Sequence, residues 1–177
     1  MDEAEFWRLV ARPAAENPDA DPEDWADAVT EALADRPPAD SVAFDRHLTA
    51  AMDRGYTWDL WGAAYLIRGG CGDDGFGYFR RWLIAQGRER FEAALADPDS
   101  LADVPGLTED DGEGVECEGL RSAAFAAYER ATGEELPADP ARTGPPELGA
   151  GWDFDDDAGM RRRYPRLWAL TDGGDGA

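Results

Sequence analysis

The sequence has no lysine, one histidine (His47), one asparagine and two isoleucines. These scarcities remove whole classes of chemistry. Without lysine there is no Schiff-base residue and no phosphate loop of the Gly-x4-Gly-Lys-Ser/Thr kind. One imidazole cannot build a His-Glu-x-x-His zinc centre, and no Ser-His-Asp order is present. No GxGxxG followed by an acidic residue opens a dinucleotide site. Cys71 and Cys117 lie far apart, and two cysteines with one histidine make neither a disulfide scaffold nor a zinc ribbon. Reduced thiols are expected. No stretch approaches 18 apolar residues, so no membrane span is expected. The opening MDEAEFWRLV is acidic and lacks the basic and apolar regions of a signal peptide. These features together read as a cytoplasmic protein.

What the chain has is acid. Thirty-nine Asp and Glu against 17 basic residues, all Arg, give a net charge of −22. Such a surface repels nucleic-acid phosphates and anionic membranes, so neither is an expected partner. A basic protein partner is the electrostatic complement; the plain alternative is that the charge serves solubility alone. Seven Trp, seven Phe and five Tyr argue for a folded core despite that charge. The length fits one domain, expected over 1–172, with a frayed tail at 173–177. The abundance of Ala, Gly, Asp, Arg and Pro without Lys suggests a GC-rich bacterial genome, such as an actinobacterium, or a halophile.

Apolar spacing predicts helices over about 2–14, from Pro22 to the Pro37-Pro38 break, over 40–54, from Trp58, over 74–85, over 88–95 and over 116–131. Asp21 before Pro22 is the clearest start signal. Thr57 reads as a cap, and Trp58, Trp61, Tyr65 and Leu66 as inward residues. Ser100 with Asp103 resembles a capping box. Residues 105–115 read as an acidic loop, and 132–151 as an extended or semi-ordered Pro/Gly-rich one. No strand alternates convincingly. The expected fold is all-α, an irregular bundle of about six to seven helices with long acidic and Pro/Gly-rich loops.

The run from Leu60 to Gly87 (LWGAAYLIRGGCGDDGFGYFRRWLIAQG), with Phe91 and Ala94-Leu95-Ala96-Asp97-Pro98-Asp99-Ser100-Leu101, resembles the bacterial domain-of-unknown-function family numbered 4240. Phe6-Trp7 and Pro165-Arg166-Leu167-Trp168 look like that family's ends. The resemblance implies a single domain in a bacterial cytoplasm and transfers no catalytic residue.

The sharpest local feature is Gly69-Gly70-Cys71-Gly72-Asp73-Asp74-Gly75. Its glycines allow positive φ, and it precedes a helix start, where free N–H groups could hold an anion. Asp73 and Asp74 compete with an anion there and can cap the helix themselves. The helix dipole would favour a Cys71 thiolate, whereas the two aspartates oppose it. An inward Arg80 could pair with Asp73 or grip a substrate carboxylate. The candidate ligand or partner site is therefore Cys71, Asp73, Asp74, Tyr78, Arg80 and Trp82. The plain alternatives are a tight capped turn, an inert cysteine and intramolecular Arg–Asp pairs. No catalytic residue, cofactor or metal site is assigned. Asp153-Phe154-Asp155-Asp156-Asp157-Ala158-Gly159 begins like a calcium loop. Ala158 stands where Gly is required and Tyr164 where the bidentate Glu belongs, leaving at most weak divalent-cation binding.

Two functions fit these readings. The first is a non-enzymatic binding or interaction module, of accessory, regulatory or immunity type, for a basic partner. The second is a small-molecule-binding protein or enzyme with its pocket at the Gly69–Gly75 turn and the helix after it.

Overall fold

A computed structural model describes residues 1–108, 114–142 and 144–171. Among them are nine α-helices and no strand. The all-α expectation holds, with more helices than expected.

Helix α1 (Glu3–Glu16) begins at Asp2, whose side chain accepts from Glu5 N at 2.8 Å. Helix α2 (Pro22–Ala34) begins at Asp21, which accepts from Glu23 N at 2.9 Å, with Pro22 in the first turn. Each cap satisfies an amide with no partner inside its helix. Helix α3 (Pro38–Arg54) ends at Gly55. Helix α4 (Trp58–Ile67) is capped by Thr57 through Leu60 N. Helices α5 (Asp73–Ala85) and α6 (Arg88–Ala96) meet at Gly87, whose φ of 95° suits glycine.

Four expectations are corrected. Ser100 caps nothing: Asp97 starts the short 3-10 turn Pro98–Asp103 by accepting from Asp99 N. The expected helix at 116–131 begins later. Cys117 N donates to Tyr78 O, which holds the chain extended ahead of the 3-10 turn Gly119–Arg121 and α7 (Ala123–Thr132). Two further helices, α8 (Asp157–Arg163) and α9 (Pro165–Thr171), follow the Pro/Gly-rich loop. On α4 the buried face is Leu60, Ala63, Ala64 and Ile67, whereas Trp58, Trp61, Tyr65 and Leu66 are half-buried. Large rings suit that second face because it is roofed by the C-terminal segment: the Phe154 ring lies 5.9 Å from Trp58 and 5.3 Å from Tyr65. Residues 109–113, with Glu109-Asp110-Asp111, and the tail 173–177 lie outside the described residues.

The core centres on Phe6, Phe44, Phe76, Phe79, Phe91 and Tyr164, all essentially inaccessible to water. Burying each such ring contributes roughly 2–3 kcal/mol. Helix α7 packs on α2 and α3, α5 packs on α1 and α3, and α9 packs on α4 and the 3-10 turn. The last contact has a polar lock. The buried Asp99 carboxylate accepts from Arg166 N at 3.1 Å and Leu167 N at 2.9 Å, capping α9 from a distant segment. Tyr164 OH donates to Asp59 O at 2.8 Å, and Gly62 leaves room for that ring. No helix among the described residues is long and apolar enough to cross a membrane.

Candidate functional site

The Gly69–Gly75 turn is held by its backbone. Gly69 and Gly70 have φ of 60° and 131°, and Gly70 N donates to Tyr65 O at 2.9 Å, closing α4. Trp61 Nε1 donates to Cys71 O at 2.8 Å. Asp73 and Asp74 do not cap α5. Gly72 occupies the cap position, no side chain bonds there, and both aspartates are exposed in the first turn. Their contribution is limited to charge at the positive end of the helix dipole.

The six expected site residues have distinct surroundings. Cys71 is half-buried, with Arg68 Nη1 3.5 Å from its sulfur. Burial pushes its thiol pKa up, opposed by that hydrogen bond; Glu116 also raises it. The carboxylate that acts on the sulfur is Glu116, which is tied to Arg68 beside it, rather than Asp73 or Asp74. His47 packs its ring 5.6 Å from Phe6, whereas Cys71 lies against Trp61 and Arg68. Trp82 is buried in the core beside Phe79. Tyr78 is half-buried under the Arg81 guanidinium. Arg80 does not pair with Asp73: it turns toward the end of α3 and donates to Met52 O at 2.7 Å.

Arg80 leads to a cleft of about 300 Å³. Its walls are α3, which presents Asp45, Thr49 and Asp53; α5, which presents Arg80 and Arg81; the start of α7 with Arg121 and Phe125; and the loop at Arg142, Gly144 and Pro145. The spacing 45, 49, 53 repeats every four residues, so all three α3 side chains fall on one stripe. Phe125 and Leu170 are the exposed large hydrophobic residues among the described ones, and Phe125 stands at this cleft.

Its electrostatics differ from the rest of the molecule. Arg80 is 9% and Arg81 7% exposed. Arg80 lies between the Tyr56 and Phe76 rings, 4.8 and 4.7 Å from their centroids. Arg81 Nε donates to Cys117 O at 2.9 Å. Neither has an ion pair with a carboxylate among the described residues, and nor do Arg121 and Arg142. Burial lowers the Arg80 pKa to about 10, so it stays charged at neutral pH, and burial also lowers that of Arg81. Two cations have lost water and gained carbonyl oxygens and ring faces; Asp53 acts on Arg80 and Glu118 on Arg81 only through space, and no ion pair closes among the described residues. A buried charge without a counterion is costly, and an anion entering the cleft would relieve that cost.

A larger cleft, about 650 Å³, lies between α1, α6 and the 3-10 turn. Its charged groups are mostly engaged: Arg90 donates to Gln86 at 2.6 Å and Asp103 pairs with Arg166. Its polar groups therefore have less left to offer a ligand.

Near the calcium-like segment, Asp155 accepts from Tyr65 OH at 2.7 Å and Asp155 N donates to Asp153. Among the described residues no group of three or more His, Cys, Asp or Glu is placed to hold a metal ion.

Sequence reasoning placed Arg80 in a candidate site but missed Asp45, Asp53, Arg121 and Arg142, which are brought together only by the packing of α3, α5 and α7. A signal was present in Phe76–Ala85, where two adjacent arginines interrupt an otherwise apolar run.

No curated protein and no solved structure matches this chain. The family described as protein of unknown function (DUF4240) matches residues 1–130, stopping short of Pro165-Arg166-Leu167-Trp168. That match includes α1 to α6, both buried arginines and most of α7, and on it the chain belongs to the DUF4240 family.

Proposed function

We propose that the protein is a binding protein rather than an enzyme, and that it takes a small anionic molecule, a carboxylate or a phosphate, in the arginine-lined cleft. One observation carries this reading. In a chain with 39 acidic residues, the four arginines of one cleft form no ion pair with a carboxylate among the described residues, although Asp45 and Asp53 line the same cleft. Guanidinium groups grip carboxylates and phosphates through paired N–H donors, and neither terminal nitrogen of Arg81 donates a hydrogen bond among the described residues. The non-enzymatic part rests on the reactive groups. Burial pushes both thiols up, Cys117 to about 12, and the lone imidazole packs on a phenyl ring.

The test is calorimetric titration of the whole protein with acetate, citrate and phosphate. Saturable binding that disappears in Arg81→Met is expected. No saturable binding of any of the three to the wild-type protein, or undiminished binding to a folded Arg81→Met, overturns the reading.

A second reading, a basic protein partner, is favoured by the net charge of −22. The aromatics lend it little, since nine are buried in the core, seven more pack partly against it, and Phe125 is the exposed one among the described residues. Its test is complex formation with protamine at about 0.15 M salt, where exposed charges are screened beyond about 8 Å. Failure to bind there counts against it.

A further inference from the structure

We propose that the molecule this cleft accepts is a zwitterion of the amino-acid class with an apolar side chain. The inference rests on the anion reading above and adds the cationic and apolar ends of the ligand.

Asp53 lines the cleft from the last turn of α3, half-buried, and makes no side-chain hydrogen bond or ion pair among the described residues. It is near enough to Arg80 to affect its charge, yet no ion pair closes between them. Arg80 is held back by Met52 O and by the two ring faces. The cleft therefore keeps a cation and an anion apart inside one small volume. Opposite charges free to move would collapse onto each other; here the packing prevents it. A ligand with a carboxylate beside an ammonium matches both, the carboxylate on Arg80 and Arg81 and the ammonium on Asp53.

The remaining surface sets the side chain. Leu48, Met52, Phe125 and Pro145 line the same cleft. A ring or branched aliphatic group fits that lining. Asp45 lies two turns earlier on α3, roughly 12 Å from Asp53 along the axis, too far to share one ammonium with it. The volume, about 300 Å³, is at the small end for ligand pockets and suits one amino acid rather than a peptide.

Matched probes separate the two claims without any mutation. Wild-type protein is titrated with phenylalanine, with 3-phenylpropionate, which lacks the ammonium, and with phenethylamine, which lacks the carboxylate. Leucine and 4-methylpentanoate form a second pair. The expected result is that each amino acid binds at least tenfold tighter than its deaminated partner, with the amine weakest. Asp53→Asn should erase the tenfold preference, weakening the amino acid while the simple carboxylate binds as tightly or more tightly; Arg81→Met should weaken both. Equal binding of phenylalanine and phenylpropionate, unchanged in Asp53→Asn, overturns the zwitterion and leaves the anion reading intact. Binding by none of the carboxylates overturns both.

Discussion

Arg36 and Arg80 use the same side chain in opposite ways. Arg36, at the corner of α1, α2 and α3, donates to Glu5 and to Asp40, each at 2.7 Å, and Asp40 also accepts from the amino group of Met1 at 2.8 Å. The guanidinium is about one-third exposed, and its charge is matched by carboxylates. Arg80 is buried, and carbonyl oxygens and aromatic faces take the place of a counterion. In a chain with more than twice as many acids as bases, a counterion is easy to supply. That Arg80 and Arg81 close no ion pair among the described residues is what sets them apart from Arg36, a strut, in the reading proposed above.

The contrast can be broken most forcefully at Arg80 itself. Arg80→Ala removes a stem packed between two rings and should cost about 2–4 kcal/mol, read as a lowered urea midpoint. Arg80→Met should retain most of the stability, because an apolar chain of similar length replaces an uncompensated charge. A Met variant as unstable as the Ala variant would show that the charge itself holds the fold.

Asp99 is the anionic counterpart of Arg80, a buried charge compensated by backbone, here by two N–H groups. Asp99→Ala should cost about 1–3 kcal/mol, with Asp99→Asn losing less, both measured by urea unfolding. Equal loss in the two would mean that shape, not hydrogen bonding, fixes α9.

Arg36 should matter less, and salt should screen its effect. Hydrogen bonding to Arg36 lowers the Glu5 pKa. Hydrogen bonding to the Met1 amino group, and then to Arg36, lowers that of Asp40. Carboxylates held below their ordinary values stabilise the fold above about pH 4, and that contribution is lost as pH falls through the lowered values. Arg36→Ala should thus shift the acid-unfolding midpoint upward in low salt, and hardly at all in high salt. The smallest effect belongs to Arg68. Its hydrogen bond opposes the burial that raises the Cys71 pKa, so Arg68→Ala should make the thiol react still more slowly with a chromogenic disulfide at neutral pH.

Local signals in the sequence carried the helices. Asp21-Pro22 and Thr57 each mark a start that depends on neighbours one to three residues away, and both lie where expected. Ser100 misled because Asp97, three residues earlier, is the better-placed acceptor. Helices α8 and α9 were hidden because they are short and one is capped from Asp99, far away in sequence. The cleft was illegible for the same reason. Arg80 stands out within its helix, but its neighbours Asp53, Arg121 and Arg142 come from three other segments, and no spacing rule links them. The turn at Gly69–Gly75 drew attention through its glycines, two of which serve to reverse the backbone.

The Asp99 lock also has a consequence for biosynthesis. Asp99 precedes Arg166 by 67 residues. At about 5–20 residues per second, the carboxylate leaves the ribosome several seconds before the amides it will bind. Helix α9 has seven residues, too few to persist as an isolated helix in water. The nascent chain should therefore assemble its first seven helices and wait, with the Asp99 carboxylate unanswered at their edge, until α9 emerges and docks.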